Sequence, residues 1–139
     1  MSRMSRRPHS FPYIQTDVFY RPIIPLTLRH TERLVDTYAL VDSGADISIF
    51  SAEFASMLDI DLTQLKKHTF SGVKGGEEGK GVGYISRLEI GMEDTFLTIP
   101  VILSFDTTLD TDMGILGQVG LFDNFIVQFD RANKTVVLK

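Results

Sequence analysis

Apolar residues in this chain come in short runs broken by turn-forming residues, and only one stretch, residues 51–58, spaces them as a helix does. There Phe54, Met57 and Leu58 recur three and four apart, with Ser51 placed to cap the first turn. A chain patterned in this way cannot bury its apolar faces by packing helices against each other. The expectation is a mostly-β domain, a closed or folded-over sheet with one main short helix.

The individual runs can be placed. Residues 19–28, with Pro22 and Pro25 ahead of the alternating Leu26 and Leu28, suit an edge strand, followed by a turn at 31–33. Residues 34–41 read as a more buried strand, because Ala39, Leu40 and Val41 leave neither face polar, and it stops abruptly at Asp42-Ser43-Gly44. Between 69 and 90, six glycines at 72, 75, 76, 79, 81 and 83 lie among β-formers, which predicts a long hairpin that returns to the core at Leu88 and Ile90. Further strands are predicted at 96–105, 125–129 and 135–138, with a polar loop at 106–112 and a short helical turn at 120–124. Residues 1–16 carry Arg3, Arg6 and Arg7 with no apolar run behind them, so they read as a flexible, solvated arm ahead of a single domain at 17–139.

Composition removes several function classes. The 139 residues are 43% apolar and 23% charged, the make-up of one soluble globular domain. A formal charge of -4 gives no general attraction to nucleic acid or to an anionic membrane. With no Cys, disulfides, thiolate zinc sites and cysteine nucleophiles are excluded together. No segment approaches the roughly 18 consecutive apolar residues of a membrane span. Without a signal sequence either, the cytoplasm is the expected location.

The chemistry concentrates at Asp42. A carboxylate on a tight turn directly after a buried strand is oriented by the sheet, and a Gly two residues on lets another chain approach closely. Taken alone, Asp-Ser-Gly also fits a turn whose Asp bonds the local backbone. The wider segment Ala39-Leu40-Val41-Asp42-Ser43-Gly44-Ala45-Asp46-Ile47-Ser48 resembles the active-site signature of the retroviral-type, or retropepsin-like, aspartic proteases. Gly114-Ile115-Leu116-Gly117 is similar to the later apolar segment that crosses behind the catalytic turn in that family, and the Gly-rich hairpin falls where the family has its flap.

The resemblance implies a retropepsin-like β-barrel, the half of an acid protease, and an aspartic endopeptidase. In it Asp42, Ser43 and Gly44 form the catalytic turn, and Ile115, Leu116 and Gly117 support it from behind. Ala45 and Asp46 line the groove, and Val73, Lys74, Gly75 and Gly76 in the flap cover an extended polypeptide. Asp46 has a second reading as a cap or turn residue. Such hydrolysis needs two neighbouring carboxylates that share one proton, and the chain holds no second Asp-Ser/Thr-Gly. A twofold homodimer supplies the second Asp42 automatically. No metal or organic cofactor is required. The competing reading is a retropepsin-like module that dimerises and binds protein segments with little turnover.

The chain departs from viral members in having Ser43 where many have Thr, Glu77 and Glu78 at the predicted flap tip, and a closing hairpin at 125–138 with a longer leading segment. In the last of these respects it looks more like cellular and bacterial relatives. Other motifs fail on spacing. Gly79-Lys80-Gly81 lacks the residues a phosphate loop needs on either side, and Asp106, Asp110 and Asp112 lack the later ligands of a calcium loop. His9, His30 and His68 are widely separated and read as surface or turn residues.

Overall fold

The computed structural model describes residues 7–71, 80–106 and 113–139. Its strands are β1 (His9–Pro12), β2 (Ile14–Thr16), β3 (Phe19–Arg21), β4 (Ile23–His30), β5 (Arg33–Val41) and β6 (Ser48–Ser51), then β7 (Lys66–Ser71), β8 (Lys80–Met92), β9 (Thr95–Ser104), β10 (Gly114–Leu116), β11 (Val127–Asp130) and β12 (Thr135–Leu138). The helix α1 (Phe54–Met57) is a single turn.

Six strands close into a barrel: β4 pairs with β5, β5 with β10, β10 with β6, β6 with β9, β9 with β8, and β8 returns to β4. Strand β7 lies outside the ring as the other arm of the β8 hairpin. Residues two apart on a strand share a face, so Ala39 and Val41, Leu88 and Ile90, and Val101 and Leu103 all point inward and are buried, with Phe50 and Leu116 among them. Closure removes the free edges that an open sheet would expose.

The seam between β4 and β8 carries a specific contact. Arg29 and Glu89 are directly opposite each other, and the Arg29 guanidinium donates to both Glu89 oxygens at 2.7 and 3.0 Å. The same guanidinium stacks 3.8 Å over the Phe96 ring. Hydrogen bonding from Arg29 holds the Glu89 carboxyl below the usual glutamate range.

Several expectations are corrected by the packing. The strand at 34–41 is not buried throughout: Leu34 is 60% and Tyr38 53% exposed. Pairing with β10 begins only at Ala39, and the rest of β5 runs past it in the hairpin with β4. The run 19–28 is two strands separated at Pro22, and β4 is not an edge strand, because residues 27–29 pair with β8 as well as with β5. Pro25 is accommodated because it precedes those residues, where β4 has no second neighbour to receive an N–H. The helix is shorter than 51–58. Ser51 ends β6, its hydroxyl accepts the Glu53 N–H at 3.1 Å, and Met57 is 53% exposed instead of inside.

The arm predicted over residues 1–16 is strand from His9 onward. β1 pairs with β12, which also pairs with β11, and Phe11 and Tyr13 are buried. His9 is not a surface residue: its Nδ1 meets Glu93 Oε1 at 2.5 Å and its Nε2 meets Thr95 Oγ1 at 3.1 Å. A buried His with both nitrogens engaged is a structural pin between β1 and the turn joining β8 to β9.

Because the folded-state value of Glu89 is depressed, its contribution to stability is present above the unfolded glutamate pKa and is lost as pH falls through the folded one. The Glu89→Gln variant should therefore melt below the parent at pH 7, and the gap should close under acid. Thermal melts at stepped pH measure it.

Candidate active site

Asp42 stands at the end of β5, half-exposed, where the chain leaves the barrel wall. Its N–H donates to the Leu116 carbonyl at 2.9 Å, which extends the parallel β5–β10 pairing by one bond. Its Oδ1 accepts the Gly44 N–H at 2.8 Å, and the Asp42 carbonyl accepts the Ala45 N–H at 3.2 Å. The turn reading of Asp42 thus holds in the structure, and it leaves half of the carboxylate unengaged. One oxygen orients it, and Oδ2 has no hydrogen bond among the described residues.

Behind this turn β10 runs between the strand that enters it and the strand that leaves it, parallel to β5 and antiparallel to β6. The crossing is close. A Cβ on Gly117 would lie 2.7 Å from the Ala45 carbonyl oxygen and 2.9 Å from the Ile47 carbonyl group, so only glycine fits there. The Gly117 N–H donates to the fully buried Ser48 hydroxyl at 3.0 Å. Gln118 and Val119 then donate their N–H groups to the carbonyls of Ala45 and Asp46 at 2.8 and 2.9 Å. The Gln118 side chain adds a further bond, Nε2 to the Ser43 carbonyl at 2.6 Å.

The chain next makes a short helical turn at Gln118–Phe122 that begins two residues ahead of the expected 120–124 and has non-helical backbone at Val119 and Gly120, the latter with φ of +100°. Here Gly120 packs on Ile99, and a Cβ would approach Ile99 Cβ at 2.7 Å. Asp123 Oδ2 accepts the Gly120 N–H and Asn124 Nδ2 donates to the Gly120 carbonyl. Both backbone polar groups of Gly120 are therefore answered locally.

Ser43, Gly44 and Asp46 are exposed and Ala45 half-exposed, so the loop is open to an incoming chain. The Asp46 carboxylate makes no hydrogen bond among the described residues, so it does not act as a cap there. On the outer face of the barrel wall, register aligns Ile102, Ile49 and Ile115. Ile49 and Ile102, with Ile47 packed on them, form a small apolar cluster separate from the main core. Sequence reading missed this cluster, although the alternation Ile47, Ile49 was its signal. It also missed Ser48 and Gln118, whose roles depend on the crossing.

The hairpin of β7 and β8 is present, with Ser71 opposite Lys80. Val73, Lys74, Gly75 and Gly76, and Glu77 and Glu78 with them, lie outside the described residues, as do Asp110 and Asp112. The root of the hairpin is held at Val82: its N–H donates to Asp106 Oδ2 at 3.0 Å, and its carbonyl accepts the buried Ser104 hydroxyl at 2.7 Å. Asp106 is thereby a structural residue at the base of the hairpin and not merely part of a solvated loop.

Neither a protein-family model nor a curated protein matches the chain. Among solved structures, a retropepsin-like aspartic protease from Rickettsia conorii aligns over 95% of this chain and 91% of its own, with a TM-score of 0.64 and 22% identity. The chain has the retropepsin-like fold. EIAV protease complexed with the inhibitor HBY-793 aligns over 76% of this chain and 88% of its own, at 18% identity and a TM-score of 0.49. The retropepsin-like barrel brings together Asp42, Ser43, Gly44, Ala45 and Asp46 on one loop, with Ile115, Leu116 and Gly117 directly behind it.

Filling the Gly117 position should act on the loop before it acts on the core. Gly117→Ala should cost about 1–3 kcal/mol, as overpacking against rigid backbone does, in urea titration. The amide signals of residues 43–47 should move furthest in a 1H–15N spectrum.

Proposed function

We propose that the protein is an aspartic endopeptidase that cleaves extended polypeptides as a homodimer, with Asp42 of each subunit forming the catalytic pair. The observation that carries this reading is the Asp42 carboxylate itself. It is half-exposed at a strand end, with Oδ1 fixed by the Gly44 N–H and Oδ2 open, in a loop tied from behind by five hydrogen bonds to residues 116–119. The Rickettsia structure with this fold is an aspartic protease, which supports the same chemistry here.

The chain contains one Asp-Ser/Thr-Gly, so one subunit carries half a site. A twofold axis beside the loop sets two Asp42 carboxylates face to face, where they hold one proton between them.

In the reaction the ionised carboxylate takes a proton from water, and the water oxygen bonds to the scissile carbonyl carbon. The protonated carboxyl gives its proton to the carbonyl oxygen. The tetrahedral adduct then collapses: the carboxyl that took the water's proton gives it to the nitrogen, the other carboxylate takes a proton from an adduct hydroxyl, the C–N bond breaks, and the pair again holds one proton. Ser43 bonds across the axis to the partner's loop, while Gly44, Ala45 and Asp46 meet the substrate backbone. The hairpin of β7 and β8 closes over the substrate, turning on its fixed root at Val82, and adds main-chain bonds in the manner of an extra strand. Ile47, Ile49 and Ile115 beside the loop favour apolar side chains flanking the cut.

The test is incubation with a peptide library between about pH 4 and 7, a range suited to a shared-proton dyad, beside Asp42→Asn. The parent should cleave, and the variant should be slower by at least about 10²–10⁴-fold, the usual worth of a positioned acid–base group. Cleavage that persists in the variant would falsify the mechanism. Cleavage by neither would favour the binding-module reading, and a strictly monomeric mass in solution would defeat the two-subunit site.

A further inference from the structure

We infer that Gln118 is a positioning residue that sets the orientation of the Asp42 carboxylate through the Ser43–Gly44 peptide group. This inference rests on the peptidase reading for its kinetic consequence, but not for its geometric one. One peptide unit is held at both ends. Its carbonyl, on Ser43, accepts Gln118 Nε2 at 2.6 Å. Its N–H, on Gly44, donates to Asp42 Oδ1 at 2.8 Å.

The two bonds reinforce each other for a physical reason. A peptide whose carbonyl accepts a hydrogen bond is polarised and becomes a stronger N–H donor. Fixing the carbonyl also fixes the plane of the peptide, and with it the direction in which the Gly44 N–H points. Gln118 has no contact of its own with the carboxylate, so it acts one peptide removed.

Its placement is well determined. The Gln118 backbone N–H is bonded to the Ala45 carbonyl at 2.8 Å and the next residue's N–H to the Asp46 carbonyl at 2.9 Å. The base of the side chain is therefore anchored to the loop that its tip adjusts. The bonds from Leu116, Gln118 and Val119 to the loop are made by backbone, so exchanging the Gln118 side chain for Met, Glu or Lys leaves their donors and acceptors in place. Besides the Ser48 hydroxyl on Gly117, the Gln118 amide is the described side chain that joins β10's end to this loop. It is also exposed, so replacing it leaves the barrel core intact.

Three variants of the full chain separate the possibilities. Gln118→Met keeps length and removes the donor, Gln118→Glu keeps shape and presents acceptors to the carbonyl, and Gln118→Lys restores a donor of similar reach. The Gly44 amide proton is followed by 1H–15N NMR, and kcat and KM are measured at protein concentrations where each variant matches the parent's mass in solution. The Gly44 signal should shift upfield and exchange faster in the Met and Glu variants and stay near the parent's in the Lys variant. On the peptidase reading, kcat should fall roughly tenfold in the first two, about the worth of one hydrogen bond, with KM little changed and most of kcat recovered by Lys. A Gly44 amide that ignores Gln118→Met overturns the inference, as does a loss that falls on KM or is equal in the Met and Lys variants. If the parent cleaves nothing, the peptidase reading fails, while the Gly44 response still upholds or overturns the coupling.

Discussion

The structure turns on a steric condition at one backbone crossing. β10 has to pass between β5 and β6 and leave the barrel under the loop that joins them, and it can do so because Gly117 has no side chain to collide with the Ala45 and Ile47 carbonyls. Once the segments are that close, their polar groups answer each other: Asp42 with Leu116, Ala45 with Gln118, Asp46 with Val119. Each such bond is worth only about 1 kcal/mol net. Breaking any of them in place would leave a peptide group unanswered, which costs more than the bond contributes. The loop that carries Asp42 is therefore tied to the barrel at three backbone points, although much of it faces solvent.

The barrel was legible where side-chain pattern and backbone requirement agree. Alternating Leu26 and Leu28, the apolar run into Ser104, and the final strand Thr135–Leu138 all fall where periodicity puts them. Pattern misled where neighbours decide burial. Leu34 sits in an apolar run and is exposed because β5 outruns its partner β10, and Met57 has helical spacing on a helix too short to turn it inward. His9 reads as an exposed polar residue, yet it is buried because Glu93 and Thr95, more than eighty residues away, complete its hydrogen bonds. No local signal could have announced that.

The candidate site was legible to a different depth. Asp42-Ser43-Gly44 and Gly114-Ile115-Leu116-Gly117 could each be found as motifs, and their contact followed from a resemblance, not from either motif by itself. Ser48 and Gln118 were invisible because a hydroxyl or amide becomes informative only when it is known what lies within 3 Å of it. Ser48 looks like a polar break in a strand, and Gln118 like a solvated residue after a turn. Both are spent on the crossing, one on the Gly117 N–H and the other on the Ser43 carbonyl.

The pairing of β1 with β12 has an implication for how such a protein would be switched. Since His9–Pro12 completes a sheet within its own chain, no strand has to be borrowed for a subunit to reach its final shape. Were two copies to associate, this sheet would already be complete in each of them. On the two-subunit reading, a cell stockpiles intact but silent halves and sets their activity by abundance, with β1 already seated in its own subunit.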